Sequence, residues 1–250
     1  MVASLYGESD PLNKGGVEPE AGKPAGTIKG VVKFKGEQKT PKVLRKVLSS
    51  SDAACVKHYK DKEPPRSEAY IFGDNDTLQN VVVYVSKGLE GKDIPKLTRP
   101  AVLRQRGCTY RPHVFAVQSG QKLEIYNEDN TMHNVKFASR RNGEFNKTQL
   151  KSVIIEQEFK KEEIGARFDC NVHTWMNARM CVFDHPFFAV TQKDGTFEIC
   201  GLDPGSYELK AWQPFRFFAS TEKTYKVTVE ADGEAEVEIT VGVKPKKKKK

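Results

Sequence analysis

Nowhere in its 250 residues does the sequence hold a run of about 18 apolar residues, the length an α-helix needs to cross a bilayer. A soluble protein is therefore expected. Also missing from Met1 to Gly16 are the charged start and apolar stretch of a signal peptide. If the chain is exported, its leader has been cleaved or lies outside the numbering. A basic body is lacking too: of the formal charge of +8, Lys244 and Lys246 to Lys250 supply six, leaving +2 for the rest. So balanced a body argues against a nucleic-acid partner. The lysines at 244–250 read as a solvated tail, able to hold an anionic wall or membrane surface electrostatically.

What is present points to an all-β protein. Hydrophobic residues make up 38% of the chain, and valine, phenylalanine, threonine and tyrosine fall in short runs broken by glycine. A chain of this length forms a core without help from metal or disulfides, so any metal would be functional. Residues 1–26 are rich in Gly, Pro and charge without periodicity and are expected to be a disordered arm. Strands are expected from Thr27 to Phe34 and from Asn80 to Val85, with a short N-capped helix within Ser49 to Lys60 between them and a loop at 86–107. From Cys108 to Val182 short strands follow closely, at His113 to Val117, Lys122 to Asn127, His133 to Phe137, Val153 to Phe159, Ala166 to Cys170 and Arg179 to Phe183. Turns such as Ser119-Gly120, Asn142-Gly143 and Gly165 separate them, the spacing of a sandwich or barrel. Residues 184–243 hold a hairpin signal at Lys193-Asp194-Gly195, a turn at Asp203-Pro204-Gly205 and two alternating strands.

Five cysteines are more than a reducing cytosol normally carries, and their odd number singles out one with a separate task, for which Cys170 is the candidate. It opens Cys170-Asn-Val-His173-Thr-Trp-Met176: a thiolate, an imidazole and a thioether at spacings of three. Copper cycling between its two oxidation states needs two imidazoles and a thiolate in one plane with a weak axial thioether. This loop offers three of the four. Alternation puts Phe168 and Cys170 on one strand face, and His133 stands directly before the alternating Val135 and Phe137, where a fourth ligand is needed. The plain alternative is that Cys170 and Met176 are buried apolar residues and His173 a surface histidine. Zinc is less suited, because methionine is a poor zinc ligand.

An upstream Asn127-x-Asp129-x-x-x-His133-Asn134 followed by Phe168-x-Cys170-x-x-His173-x-x-Met176 resembles the cupredoxins, or blue-copper proteins, and the Cys-x-x-His-x-x-Met spacing is most similar to amicyanin. The resemblance covers about residues 108–183. It implies a Greek-key β-sandwich holding one type 1 copper, with His133, Cys170, His173 and Met176 as ligands. It also implies that Asn134 ties the two ligand-bearing segments together, and that His173 lies nearest the surface as the electron port, with Trp175 in a docking face. The run from Phe188 to Trp212 resembles carboxypeptidase-regulatory or transthyretin-like β-sandwich modules, which begin with a strand like Gly26 to Phe34. From this follows a layout in which 27–107 belong in part to a second sandwich completed by 184–243, with the copper segment 108–183 inserted between; two domains in simple series is the alternative.

Cys55 and Cys108 are expected to form a disulfide, the competing reading being a second metal site with His58 and His113. His113 reads as a hydrogen-bonded core histidine and His185 as a turn residue. Cys181 and Cys200 pair or stay as small buried hydrophobes. The function expected is one-electron carriage without substrate turnover, in an exported, periplasmic or cell-surface protein that meets a cytochrome or dehydrogenase. The rivals are a copper carrier or storage protein without redox cycling and a structural cell-surface module. In this reading Cys55→Ser alters stability and leaves the copper spectrum unchanged.

Overall fold

A computed structural model describes residues 15–17, 23–214, 218–219 and 223–243. Most of the expected arm at 1–26 and the whole lysine tail at 244–250 lie outside the described residues. Among the described residues the chain is all-β, with one short α-helix, and its strands form two sandwiches.

One sandwich joins distant parts of the sequence. Its first sheet runs in the order Gly15–Gly16, Thr196–Leu202, Gly26–Lys35, Glu234–Val243, Phe218–Ala219; its second runs Phe188–Val190, Val82–Lys87, Gly205–Trp212, Tyr225–Val229. Alternation in Gly26–Lys35 turns Ile28, Val32 and Phe34 inward against Phe197, Ile199 and Val83, forming a single core. The chain leaves this sandwich after Lys87 and returns at Phe188.

The intervening residues build the other sandwich. One sheet has the order Glu144–Gln149, His133–Ala138, Glu163–Asp169, Asn177–Phe183, Val114–Gln118; the other has Ile154–Glu158, Lys122–Asn127, Ala101–Gln105, Tyr110–Arg111. Asn177–Phe183 pairs parallel with Val114–Gln118, and Ala101–Gln105 parallel with Lys122–Asn127, while the remaining pairs are antiparallel. Phe115, Phe137, Phe159 and Phe168 occupy its core, with Phe137 and Phe168 directly opposed and their ring centroids 4.8 Å apart.

Between the sandwiches lies a thin apolar layer of Val82, Tyr84, Val114, Cys181, Phe183, Phe188 and Val190. Tyr84 stacks on Phe183 at 4.6 Å. Trp212 reaches across to Gly165, which sits at a register shift with φ +85°; a Cβ there would stand 2.9 Å from the indole.

Several stretches depart from the sequence reading. Residues 86–107 are more than a loop, because Ala101, Leu103 and Gln105 alternate inward as a strand. Flanking prolines and arginines hide that period. Glu144–Gln149 has only Gln149 fully buried and pairs only with His133–Ala138, so as an edge strand it carries little hydrophobic signal. The helix Ala53–His58 falls inside the expected span, with Asp52 as its side-chain cap. Residues 27–107 do not stay together, however. Val47, Cys55 and Tyr59 pack into the core of the 101–183 sandwich.

Candidate metal centre

Two strands deliver the centre to one pole of the 101–183 sandwich. In His133–Ala138 the residues His133, Val135 and Phe137 face inward and are 0%, 0% and 1% exposed, so the imidazole continues the apolar stripe of its strand. Glu163–Asp169 turns Ala166 and Phe168 inward in the same way and brings Cys170 to its end. The loop after Cys170 closes on itself: Met176 N–H donates to the His173 carbonyl at 2.8 Å and Cys170 N–H to the Met176 carbonyl at 3.2 Å. His173 and Met176 are buried beneath it.

The ligating atoms of His133, Cys170 and His173 all lie within 4.8 Å of one another. His133 Nδ1 is 2.9 Å from His173 Nδ1, and Cys170 Sγ is 3.7 Å from His173 Nδ1. A borderline-soft ion bonds imidazole nitrogen at about 2.0 Å and thiolate sulfur at about 2.3 Å, so one ion can bridge both separations.

The far side of each imidazole fixes its tautomer. His133 Nε2–H donates to Asp129 Oδ2 at 2.8 Å, and His173 Nε2–H donates to Asp52 Oδ2 at 3.1 Å. Carboxylates only accept, so the proton in each pair belongs on Nε2. Both Nδ1 lone pairs then point at each other across 2.9 Å. Only a shared proton or a metal ion relieves that opposition, and with a thiolate beside it the donor set suits copper. Met176, in the same loop, is buried in the core of this sandwich.

Charge at the pole follows from the same contacts. Burial by itself would raise the Cys170 thiol, but hydrogen bonds from His133, His173 and the Asn134 and His173 N–H groups outweigh it and bring the group down to about 6. Burial would lower His133; its bonds to Asp129 and Cys170 prevail and lift it to about 9. Burial likewise opposes ionisation of Asp129 and Asp52, yet both are held below the ordinary carboxylate range. His133, Cys108 and Gly107 do this for Asp129, and Thr131, Cys55 and Ala54 for Asp52.

Asn134 spans the two ligand segments: its N–H donates to Cys170 Sγ at 3.4 Å, and its Oδ1 accepts from Asn171 N–H at 3.3 Å. Cys55 and Cys108 are joined in a disulfide, so neither offers a thiolate to a second metal site. His58 is exposed against Tyr59, and His113 is a core histidine whose Nδ1 lies 3.0 Å from the Asn177 carbonyl. His185 packs between Phe183 and Phe187 and accepts from the Phe187 N–H. Cys181 lies in the layer between the sandwiches and Cys200 in the other sandwich, and they are not bonded to each other.

One expectation is overturned. His173 is 0% exposed and cannot serve as a bare electron port. Its outer edge is covered by Asp52 and by the disulfide, with Cys55 Sγ 3.6 Å from Nε2. Trp175 is half-buried and donates its indole N–H to the Cys108 carbonyl at 2.9 Å. The exposed apolar side chains beside the ligand residues are Met132 and Val172.

Sequence reasoning gave Asp52, Asp129 and Thr131 no role at the centre, although Asp129 stood in the motif around His133. Asp129 had a signal in its place four residues before His133. Asp52 had none beyond its capping role.

No protein-family model matches the sequence, and no curated protein matches it. Parts of the chain are similar to solved copper proteins. A Cu-containing nitrite reductase from Thermus scotoductus SA-01 is 18% identical over 39% of this chain, with a TM-score of 0.32; the chain spans about a quarter of its length (25%). A purple cupredoxin from Nitrosopumilus maritimus is 18% identical over 33% of this chain and 98% of its own, with a TM-score of 0.29. An oxidized amicyanin variant is 20% identical over 33% of this chain and 81% of its own, with a TM-score of 0.30.

Proposed function

We propose that the 101–183 sandwich is a type 1 copper module that carries single electrons between redox partners. The observation that supports this most is the approach of the two buried imidazole Nδ1 atoms to 2.9 Å beside the thiol of Cys170. Cys170, His133 and His173 would hold the copper through a thiolate and two imidazoles, with the thioether of Met176 as the weak fourth donor. Bound copper supplies one electron, taken up and returned without making or breaking a covalent bond in a substrate.

This chain's residues supply rigidity and shelter. Burial of all four side chains excludes water, and Asn134 holds the segments together. No substrate is turned over in this reading. With His173 covered, electrons pass through the contacts around it, toward the cleft lined by Lys57, His58, Arg106, Cys108 and Asp129 or toward Met132 and Val172. A cytochrome or dehydrogenase is the class of partner, met outside the reducing cytosol, where the Cys55–Cys108 disulfide persists. Among the described residues no helix is long and apolar enough to cross a membrane. The second sandwich serves as a scaffold in the manner of carboxypeptidase-regulatory modules, and the 244–250 lysines serve as an electrostatic tether to an anionic surface.

Copper titration under visible spectroscopy tests the proposal. The expected result is an intense absorption in the red that saturates at one copper per chain, bleaches reversibly with a reductant and is abolished in Cys170→Ala. Protein that stays colourless with Cu(II), or colour retained in the cysteine variant, would overturn it. Tight Cu(I) binding without a reversible potential would favour a carrier or storage role instead.

A further inference from the structure

The two carboxylates behind the imidazoles are built alike. Asp129 accepts from the Gly107 N–H at 2.7 Å and the Cys108 N–H at 2.8 Å, and gives its Oδ2 to His133. Asp52 accepts from the Ala54 N–H at 2.9 Å and the Cys55 N–H at 3.3 Å, and gives its Oδ2 to His173 and to the Thr131 hydroxyl. Each carboxylate is therefore gripped by the backbone of one half-cystine, and the Cys55–Cys108 bond joins the two grips. The side chains of Asp129 and Asp52 are only 13% and 16% exposed, so solvent screens them poorly. Thr131 links the loop before His133 to Asp52, and Trp175 links the loop after His173 to Cys108. Both ligand segments are thus cross-braced to a short helix and a turn that supply no ligand.

We propose that Asp52 and Asp129, joined through the Cys55–Cys108 disulfide, form a single clamp that positions both imidazoles and holds the reduction potential of the bound copper low. This rests on the copper reading above. The physical cause is charge. A carboxylate accepting the outer N–H makes an imidazole a stronger donor, and two such carboxylates add two negative charges close to the ion. Negative charge favours Cu(II) over Cu(I). Asp52 and Asp129 do not touch the metal, so they are positioning residues.

The test uses Asp129→Asn and Asp52→Asn in the full chain, each compared with the native protein by spectroelectrochemistry. In Asp52→Asn the remaining oxygen still accepts from both the Ala54 and Cys55 N–H groups and caps the helix as aspartate does, while Asp129→Asn keeps one of its two backbone N–H bonds, that from Gly107 or that from Cys108. Each variant is expected to bind one copper and keep its red band. Each is also expected to shift the Cu(I)-to-Cu(II) affinity ratio toward Cu(I) by about tenfold, which is about 59 mV upward for one electron. Potentials unchanged within about twofold in both variants, with the band intact, would overturn the clamp and leave the copper assignment standing. A native protein that never develops the band would sink the copper assignment instead. The clamp is then read in the metal-free protein by imidazole ¹⁵N shifts. A proton on Nε2 of both histidines, with the His133 Nε2 resonance moving in Asp129→Asn as its carboxylate partner is lost, is expected; unchanged shifts in that variant would overturn it.

Discussion

Met176 is where a single side chain would tune the centre without building it. A thioether donating to the ion favours Cu(II) slightly over Cu(I), and leucine of similar volume removes that donor while the thiolate and both imidazoles remain. Met176→Leu should therefore keep the red band and raise the potential, and loss of the band would show that Met176 holds more of the site than an axial contact. Protons report on the other ligands. Between about 6 and about 9, Cys170 is a thiolate and His133 an imidazolium, since burial, which opposes both charges, is outweighed by their mutual hydrogen bonding and by Asp129. Copper entering in that window displaces the His133 proton and none from Cys170. Calorimetry in buffers of different ionisation enthalpy should find about one proton released per copper, with affinity falling as pH drops through that window and falling more steeply below about 6, where the thiol protonates too. Release of two protons at pH 8 would contradict the thiolate assignment. Cys170, His173 and Met176 were legible because they share one short loop at spacings of three. Asp52 was not, since it meets His173 across 121 residues and its local pattern announces only a helix cap.

The helix Ala53–His58 shows how an element acquires a role its own sequence does not state. Six residues are too short to be stable alone, and the segment is held by its cap, by the burial of Cys55 and by the disulfide. Tyr59 adds a hydrogen bond from its hydroxyl to the Gly107 carbonyl at 2.7 Å. The disulfide closes a loop of 53 residues, which in the chain-entropy account is worth about 4 kcal/mol. Cys55→Ser with Cys108→Ser should lower stability by roughly that amount in denaturant titrations while the red band persists, because none of the four ligands is removed. Loss of the band would mean that the brace is needed for copper to bind at all. Other elements were plain from pattern. Lys122–Asn127 and His133–Ala138 alternate cleanly, whereas Ala101–Gln105 is obscured by charged neighbours and Glu144–Gln149 by its exposure on a sheet edge.

At the scale of the molecule, two sandwiches share one apolar layer. The association of Gly26–Lys35 with strands after Phe188, expected from the sequence, is present as pairing with Thr196–Leu202 and Glu234–Val243. The packing of 45–59 on the 101–183 sandwich was not drawn from the sequence, although the expected Cys55–Cys108 disulfide pointed to it. Phe183 lies in the shared layer, at the opposite end of Asn177–Phe183 from the ligand loop. Six residues of strand at about 3.3 Å each separate them by about 20 Å. Phe183→Ala should cost about 3–5 kcal/mol and leave the copper spectrum unchanged, and an altered spectrum would show that the two ends of the sandwich are coupled. The most direct test of the whole account is X-ray absorption at the copper edge of the loaded protein. One short sulfur bond and two imidazole nitrogens in the first coordination sphere, with the sulfur lost in Cys170→Ala, is the result expected. A sphere of nitrogen and oxygen with no short sulfur bond would contradict it.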